Sequence, residues 1–189
     1  MTPVETLTHD QIADFAATQL KRFGYQLAFS NLTSNSHIEL PDVLGFTGFG
    51  KSIVIEVKTS ISDFHADKKK KSRVNKELSI GNQRVYLTPK GLLNPQDIPY
   101  GWLLWEIHGK NKPRIVVIKG RDKKRVVDKN LGPGHYKTEI KNLNISKEEY
   151  FHFDTVEKNI HAELMWCIKF LHRANQRGYD VNQLANNKE

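Results

Sequence analysis

Asp42, Glu56 and Lys58 are residues whose types and spacing could do chemistry together. They lie in residues 41–58, which run Pro41-Asp42-Val43-Leu44-Gly45-Phe46, then Thr47-Gly48-Phe49-Gly50, then Lys51-Ser52-Ile53-Val54-Ile55-Glu56-Val57-Lys58. The last run is β-branched and apolar around Glu56, and two glycines between the runs permit a tight positive-φ connection, so the stretch predicts a β-hairpin. Asp42 and Glu56 are equally far from Phe49, and a hairpin symmetric about that residue sets them opposite each other with Cβ atoms ~5 Å apart. Lys58 returns to their face two residues on, while Ile53, Ile55 and Val57 point to the other.

Two carboxylates and an ammonium on one face suit a hard cation. Mg²⁺, with Mn²⁺ as a substitute, takes oxygen ligands, often only one or two carboxylates, and leaves positions for water and substrate phosphate. Asp42 and Glu56 would supply those carboxylates, and Val57 could add its backbone carbonyl. Lys58 beside the ion could orient or help deprotonate the attacking water, or stabilise charge in the transition state. The chemistry implied is phosphodiester hydrolysis.

These residues resemble the signature of the PD-(D/E)xK nuclease superfamily: Pro41-Asp42, then Glu56-Val57-Lys58. The continuation Lys58-Thr59-Ser60-Ile61-Ser62-Asp63-Phe64-His65-Ala66-Asp67-Lys68 is similar to the MmcB-like DNA-repair branch, and the likeness covers residues 41–89. It departs where that branch carries an arginine just ahead of the first aspartate, since this chain has Glu39 and Leu40 there. The resemblance implies an α/β fold with a central mixed sheet of about five strands and helices on both sides, a restriction-endonuclease-like layering. It also implies a catalytic set of Asp42, Glu56 and Lys58.

Composition narrows the class. A chain of 189 residues, 38% hydrophobic, suits one domain with its own core, placed over residues 1–174, with a polar tail at 175–189. Twenty-nine Lys and Arg against 21 Asp and Glu give a formal charge of +8, which favours a polyanionic partner, DNA ahead of RNA. One cysteine, Cys167, excludes an internal disulfide, and the eight histidines lack a ligand spacing. No apolar run approaches the ~20 residues of a membrane span, and no secretion signal is recognisable, so the expectation is a cytoplasmic protein with no membrane partner.

The remaining elements must hold the hairpin. Residues 8–23 predict a helix with a Thr8/Gln11 capping box, a terminating Gly24 and a stripe of Ile12, Phe15, Ala16, Leu20 and Phe23. Asp10 or Asp14 on it could reach the metal, although an acidic residue near a helix N-terminus is favoured by the macrodipole alone. Residues 25–32 predict a strand, and His37 and Glu39 share the parity of Pro41 rather than Asp42, which keeps both out of the catalytic set. Ser60 or Ser62 can cap a helix reaching about Leu78. It would carry Lys68, Lys69, Lys70, Lys71 and Arg73, a candidate phosphate-contacting run or a solvated face.

Residues 83–89, 102–107 and 114–118 predict further strands, with Trp102 and Trp105 on opposite faces. Residues 119–133 read as a basic linker, either a DNA-facing flap or a solvated loop. A long C-terminal helix is expected over 156–172, capped by Asp154 and Glu157, with a stripe of Val156, Ile160, Leu164, Cys167, Ile168 and Leu171. Its wide apolar surface makes it a candidate homodimer contact. The function expected is a metal-dependent DNA nuclease serving repair, recombination or mobile-element defence. The rivals are a nuclease-fold nucleic-acid-binding protein or subunit without cleavage, and an interaction protein that dimerises through this helix.

Overall fold

The computed structural model describes residues 7–33, 39–74, 78–109, 112–127, 130, 134–146, 148–149 and 158–180. In chain order these form α1 (His9–Arg22), β1 (Leu27–Ser30), β2 (Val43–Phe46), β3 (Ser52–Val57), α2 (Ile61–Asp67) and α3 (Lys71–Val74). Then come β4 (Gln83–Pro89), β5 (Leu103–His108), β6 (Arg114–Val127), β7 (Tyr136–Leu143) and α4 (Ile160–Gln176). The fold is α/β, with seven strands paired in sequence order in one mixed sheet. β1–β2–β3 is an antiparallel meander, β3–β4–β5 is parallel, and β5–β6–β7 is antiparallel again.

Strand alternation divides the core. Ile53, Ile55, Val57, Val85, Leu87, Leu103 and Trp105 face α1, which buries Ile12, Ala13, Ala16, Ala17 and Leu20 against them. The small Ala13, Ala16 and Ala17 let the helix backbone come close to the sheet. α1 forms as its sequence directs: both arms of the Thr8/Gln11 capping box are present, and Gly24 takes φ +92° just past its end. A cap of this kind contributes ~1 kcal/mol.

The opposite face holds two separate apolar clusters. Trp166 and Ala162 of α4 lie over Leu44 and Val54. Phe64 of α2 lies with Tyr86, Trp102 and Leu104. Glu56 falls between them, flanked by Val54 along its strand and by Tyr86 across the parallel ladder. A polar seam therefore crosses an otherwise apolar face at the C-terminal end of β3. Trp102 and Trp105 do take opposite faces, and both are core residues, Trp102 stacked on Tyr86 and Trp105 edge-on to Phe23.

Several elements differ from the sequence expectations. The sheet exceeds about five strands because residues 119–127 continue β6 instead of forming a linker, and β7 pairs with them. The basic helix after Lys58 is broken: α2, capped by Ser60 Oγ accepting from the Asp63 N–H, ends at Asp67, and α3 starts at Lys71. A turn at residues 68–70 lets Lys70 and Arg73 fold back toward β3. The C-terminal helix starts at Ile160, capped by Asn159, and runs to Gln176, past the expected start of the tail. The expected capping pair Asp154/Glu157 and Val156 lie outside the described residues. The expected stripe faces outward, with Ile160, Leu164, Ile168 and Leu171 exposed, while Ala162, Glu163 and Trp166 are buried. Periodicity located an apolar face, but the sheet selected the neighbouring face, which presents Trp166 and a carboxylate that its partners can satisfy. Among the described residues no helix is long and apolar enough to cross a membrane.

Candidate active site

The hairpin register decides the geometry. β2 pairs with β3 as Val43↔Ile55, Leu44↔Val54 and Gly45↔Ile53, and one further step in the same register sets Asp42 across from Glu56. Asp42 is fixed by its own carboxylate: Oδ2 accepts the Val57 N–H at 2.7 Å and lies 3.2 Å from His9 Nε2. A strand residue's N–H and C=O emerge on the same edge, so the Val57 carbonyl shares the edge that meets Asp42. The Asn31 N–H donates to the Asp42 carbonyl at 2.9 Å, which anchors the approach to the strand.

Glu56 is 1% exposed, and its carboxylate meets three cations. Oε2 lies 3.3 Å from Lys58 Nζ and 3.3 Å from Lys70 Nζ, and Oε1 lies 2.9 Å from Arg73 Nη2. The last contact is ionic without hydrogen-bond geometry, so Glu56 Oε1 is a buried oxygen with no hydrogen bond. Burial raises the Glu56 pKa; Arg73 opposes the rise and Asp42 adds to it.

Two acidic residues outside the expected set complete the cluster. Asp67, 1% exposed, pairs with Lys70 at 2.8 Å, Lys58 at 3.3 Å and Arg73 Nε at 2.8 Å, and accepts the Tyr86 hydroxyl at 2.8 Å. Burial pushes its carboxyl up, but the hydrogen bonds and charge of Arg73, with Lys70 and Lys58, outweigh this and hold it well below the usual carboxylate range. Glu39 bonds Arg73 Nη1 and accepts the Ile80 N–H at 2.8 Å. Burial lowers the Arg73 pKa, and the charges of Glu56, Asp67 and Glu39 more than reverse that, so the guanidinium stays charged. Arg73 also lies 4.7 Å over the Trp102 ring.

The structure thus brings Asp42, Glu56, Val57 and Lys58 together and splits the basic run. Arg73 turns inward, half-exposed Lys70 bridges Glu56 and Asp67, and Lys68 and Lys69 remain on the surface, Lys68 Nζ lying 4.5 Å over the Phe64 ring and 3.3 Å from the Asp97 carbonyl. Lys71 lies on α3, its side chain outside the described residues. Asp14 accepts hydrogen bonds from the Ser30 hydroxyl and the Asn31 side-chain amide. His9, Glu39 and Asp67 were not legible as site residues. His9 opens α1, Glu39 has the wrong strand parity, and Asp67 reaches the site only because α2 ends there.

Among the described residues no three His, Cys, Asp or Glu side chains are close enough to hold a metal ion by themselves. A hard divalent cation asks for less, one or two carboxylates with water and phosphate completing the shell. Asp42 and Glu56 are hard oxygen donors, and Glu56 Oε1 lacks a hydrogen bond. Glu39, Asp42, Glu56 and Asp67 gather here with Lys58, Lys70 and Arg73, and buried Arg84 also acts on Glu39. The hard oxygen donors of Asp42 and Glu56 fit such an ion.

No protein-family model matches the chain. No curated protein matches it either. Among solved structures it is similar to a protein of unknown function from Silicibacter pomeroyi, at 16% identity and a TM-score of 0.47, over 92% of this chain and 95% of that one.

Proposed function

We propose that this protein is a metal-dependent nuclease of the PD-(D/E)xK type, with a restriction-endonuclease-like core, acting on DNA. The observation that carries the reading is the hairpin register, which sets Asp42 across from Glu56 at the C-terminal end of β3 with Lys58 beside Glu56. Asp42, Glu56 and the Val57 carbonyl would hold Mg²⁺ or Mn²⁺. When bound, such an ion acidifies a water and polarises a phosphoryl oxygen.

The chain's own residues then have distinct tasks. Asp42, locked by the Val57 N–H and His9, presents its carboxylate in one orientation. Lys58 is pinned between Glu56 and Asp67 at 3.3 Å from each, where its ammonium can orient the attacking water and offset charge developing on the phosphate. Asp67 and Arg73 touch neither substrate nor ion in this scheme; they position Glu56, Lys58 and Lys70. Lys70, half exposed, can leave the carboxylates for a phosphate, and exposed Lys68 and Lys69 extend that cationic edge. The +8 charge supports a nucleic-acid substrate.

A second reading has its own support: both Glu56 oxygens already face cations, as they would in a nuclease-fold protein that binds nucleic acid without cutting it. Incubating the purified protein with labelled single- and double-stranded DNA and RNA in Mg²⁺, Mn²⁺ or EDTA separates the two. Cleavage in either metal that EDTA stops, and that Glu56→Gln lacks, is the expected outcome; binding without cleavage in every metal would establish the second reading. The exposed row of Ile160, Leu164, Ile168 and Leu171 on α4 supports a homodimer contact, which sedimentation equilibrium would test.

A further inference from the structure

β7 is the last strand of the sheet, and among the described residues no strand pairs with its outer edge. It also extends past the strands that precede it. β6 pairs with β5 only as far as Leu104↔Lys119, and from Gly120↔Leu143 to Val127↔Tyr136 its partner is β7. Every residue from Tyr136 to Asn142 is exposed, so β7 meets solvent on both faces, and the exposed residues include Ile140 at 47%. A two-stranded ribbon is marginal in water unless further strands or a packed face support it.

Edge strands commonly carry proline, a bulge or charged side chains that deter a neighbour. β7 has no proline and pairs with β6 without a register shift, and the charges on one of its faces alternate in sign as Lys137, Glu139 and Lys141. Alternating charge deters a neighbouring strand in some registers and attracts it in others. A second copy of the same strand shows which. In an antiparallel pair about a two-fold axis, residues equally far from the axis on its two sides face each other and share a side of the sheet. An axis at Lys137, Glu139 or Lys141 sets a charge against itself. An axis at Ile140 sets Ile140 against Ile140, Glu139 against Lys141 on both sides of it and Thr138 against Asn142, and aligns residues 137–143. An axis at Thr138 also sets Lys137 against Glu139, but it aligns only residues 136–140 of the strand.

We propose that β7 pairs with β7 of a second copy of this chain, antiparallel, about a two-fold axis at Ile140, so that two marginal ribbons join into one continuous sheet. On one face the two Ile140 side chains, each about half exposed in the single chain, cover each other. On the other face two Glu139–Lys141 pairs form between the copies. Glu139 Oε1 already lies 3.8 Å from Lys137 Nζ of its own strand, so it would sit between two lysines. The backbone groups along the outer edge of β7 gain a ladder at the same time. This surface is separate from the outer row of α4, and the inference does not depend on the nuclease reading.

The test is disulfide trapping of the full chain in a Cys167→Ser background, with sedimentation equilibrium beside it. Residues that face each other across an antiparallel ladder have Cα atoms ~4.5 or ~5.5 Å apart, within the span that a disulfide bridges. Ile140→Cys should therefore cross-link to its own copy under mild oxidation, while Thr138→Cys, which faces position 142 of the other copy, should not. Glu139→Lys and Lys141→Glu each set like charges against one another twice and should weaken self-association by about tenfold, whereas an equimolar mixture of the two should associate as the parent does, because every lysine then meets a glutamate. The cross-link leaves those charges in place, so it decides the register independently of how well the charge reversals fold. A parent that stays monomeric, a cross-link through Thr138→Cys as strong as through Ile140→Cys, or a mixture no more associated than its components would overturn the proposal. A dimer lost on Leu164→Asp and kept on Ile140→Asp would overturn it too, assigning self-association to α4.

Discussion

β3 carries a buried polar cluster at each end of one face, and the two are built differently. At its start, Ser52 Oγ donates to Glu163 Oε1 at 2.5 Å, the Gly81 N–H donates to the same oxygen at 2.8 Å, and Lys158 Nζ pairs with Glu163 Oε2 at 2.7 Å while also reaching Asn82 and the Gly50 carbonyl. One carboxylate meets one ammonium, and the cluster ties α4 to the hairpin turn. At the strand's end, Asp42, Glu56, Asp67 and Glu39 meet Lys58, Lys70 and Arg73, with Arg84 acting on Glu39, and Glu56 Oε1 keeps no hydrogen bond. Burying charge costs several kcal/mol per ion unless it is paired and hydrogen-bonded. The Glu163 carboxylate has a hydrogen-bond or ion-pair partner at each oxygen, which explains it by what it holds together, whereas one Glu56 oxygen is left without a hydrogen bond.

The largest effect should come from Arg73→Ala. It strips a cation from Glu39, Glu56 and Asp67 at once, and breaking a buried pair from one side costs ~3–5 kcal/mol, read by urea unfolding. A loss under about 1 kcal/mol, the scale of an exposed ion pair, would mean that the cluster is more open to water than its burial indicates.

Glu56→Gln keeps the shape and removes the charge, and metal-dependent cleavage should fall ~10²–10³-fold, the scale of losing one electrostatic group in an active site. Glutamine is preferable to alanine. The hairpin pattern alone suggests an exposed-face carboxylate whose removal spares the fold, but its burial beside three cations means that alanine would leave those cations uncompensated.

Glu163→Gln sharpens the comparison from the other end. The amide retains an acceptor for Ser52 and Gly81 and loses the pairing with Lys158, so stability should drop by ~1–3 kcal/mol with turnover per folded molecule unchanged. Turnover that fell along with stability would make the two ends one functional unit.

The smallest effect is on pH dependence. The Asp67 carboxyl is held below its ordinary value, so its stabilising contribution is complete above the unfolded carboxylate's pKa of ~3.9 and is lost as pH falls through the folded value. Glu56 has the opposite sign: its raised pKa means that the stability linked to its proton is present at low pH and lost as pH rises through the folded value. Unfolding free energy measured from neutral pH down through the acid range should therefore fall less steeply for Asp67→Asn than for the parent, by at most about 1.4 kcal/mol per pH unit. Identical slopes would remove Asp67 from the acid limb.

Residues that speak to their sequence neighbours were legible, and residues that answer to distant partners were not. The Thr8/Gln11 box and Gly24 set α1 because a cap is satisfied within four residues. The symmetric spacing about Phe49 fixed the register that sets Asp42 across from Glu56, since hairpin pairing follows from the turn and the two-residue period. Lys58 followed by parity. Glu39 was set aside by the same parity, yet its carboxylate reaches Arg73 and the Ile80 N–H, partners that no strand period could reveal.

Tertiary structure alone decided three things. It broke the basic run so that Arg73 joined the buried cluster while Lys68 and Lys69 stayed outside, because the carboxylates of Glu56 and Asp67 compete for cations more strongly than water does once both are buried. It turned α4 so that Trp166 and Glu163 went inward and the more regular row of Ile160, Leu164, Ile168 and Leu171 went outward, because Trp166 buries more area and donates to the Glu39 carbonyl at 3.1 Å. It made a strand of residues 119–127, whose composition reads as a loop, because β7 supplied the ladder that charged residues cannot supply by propensity. The sequence determined which groups could do chemistry on the hairpin; the packing of distant elements determined which charges were left to surround them.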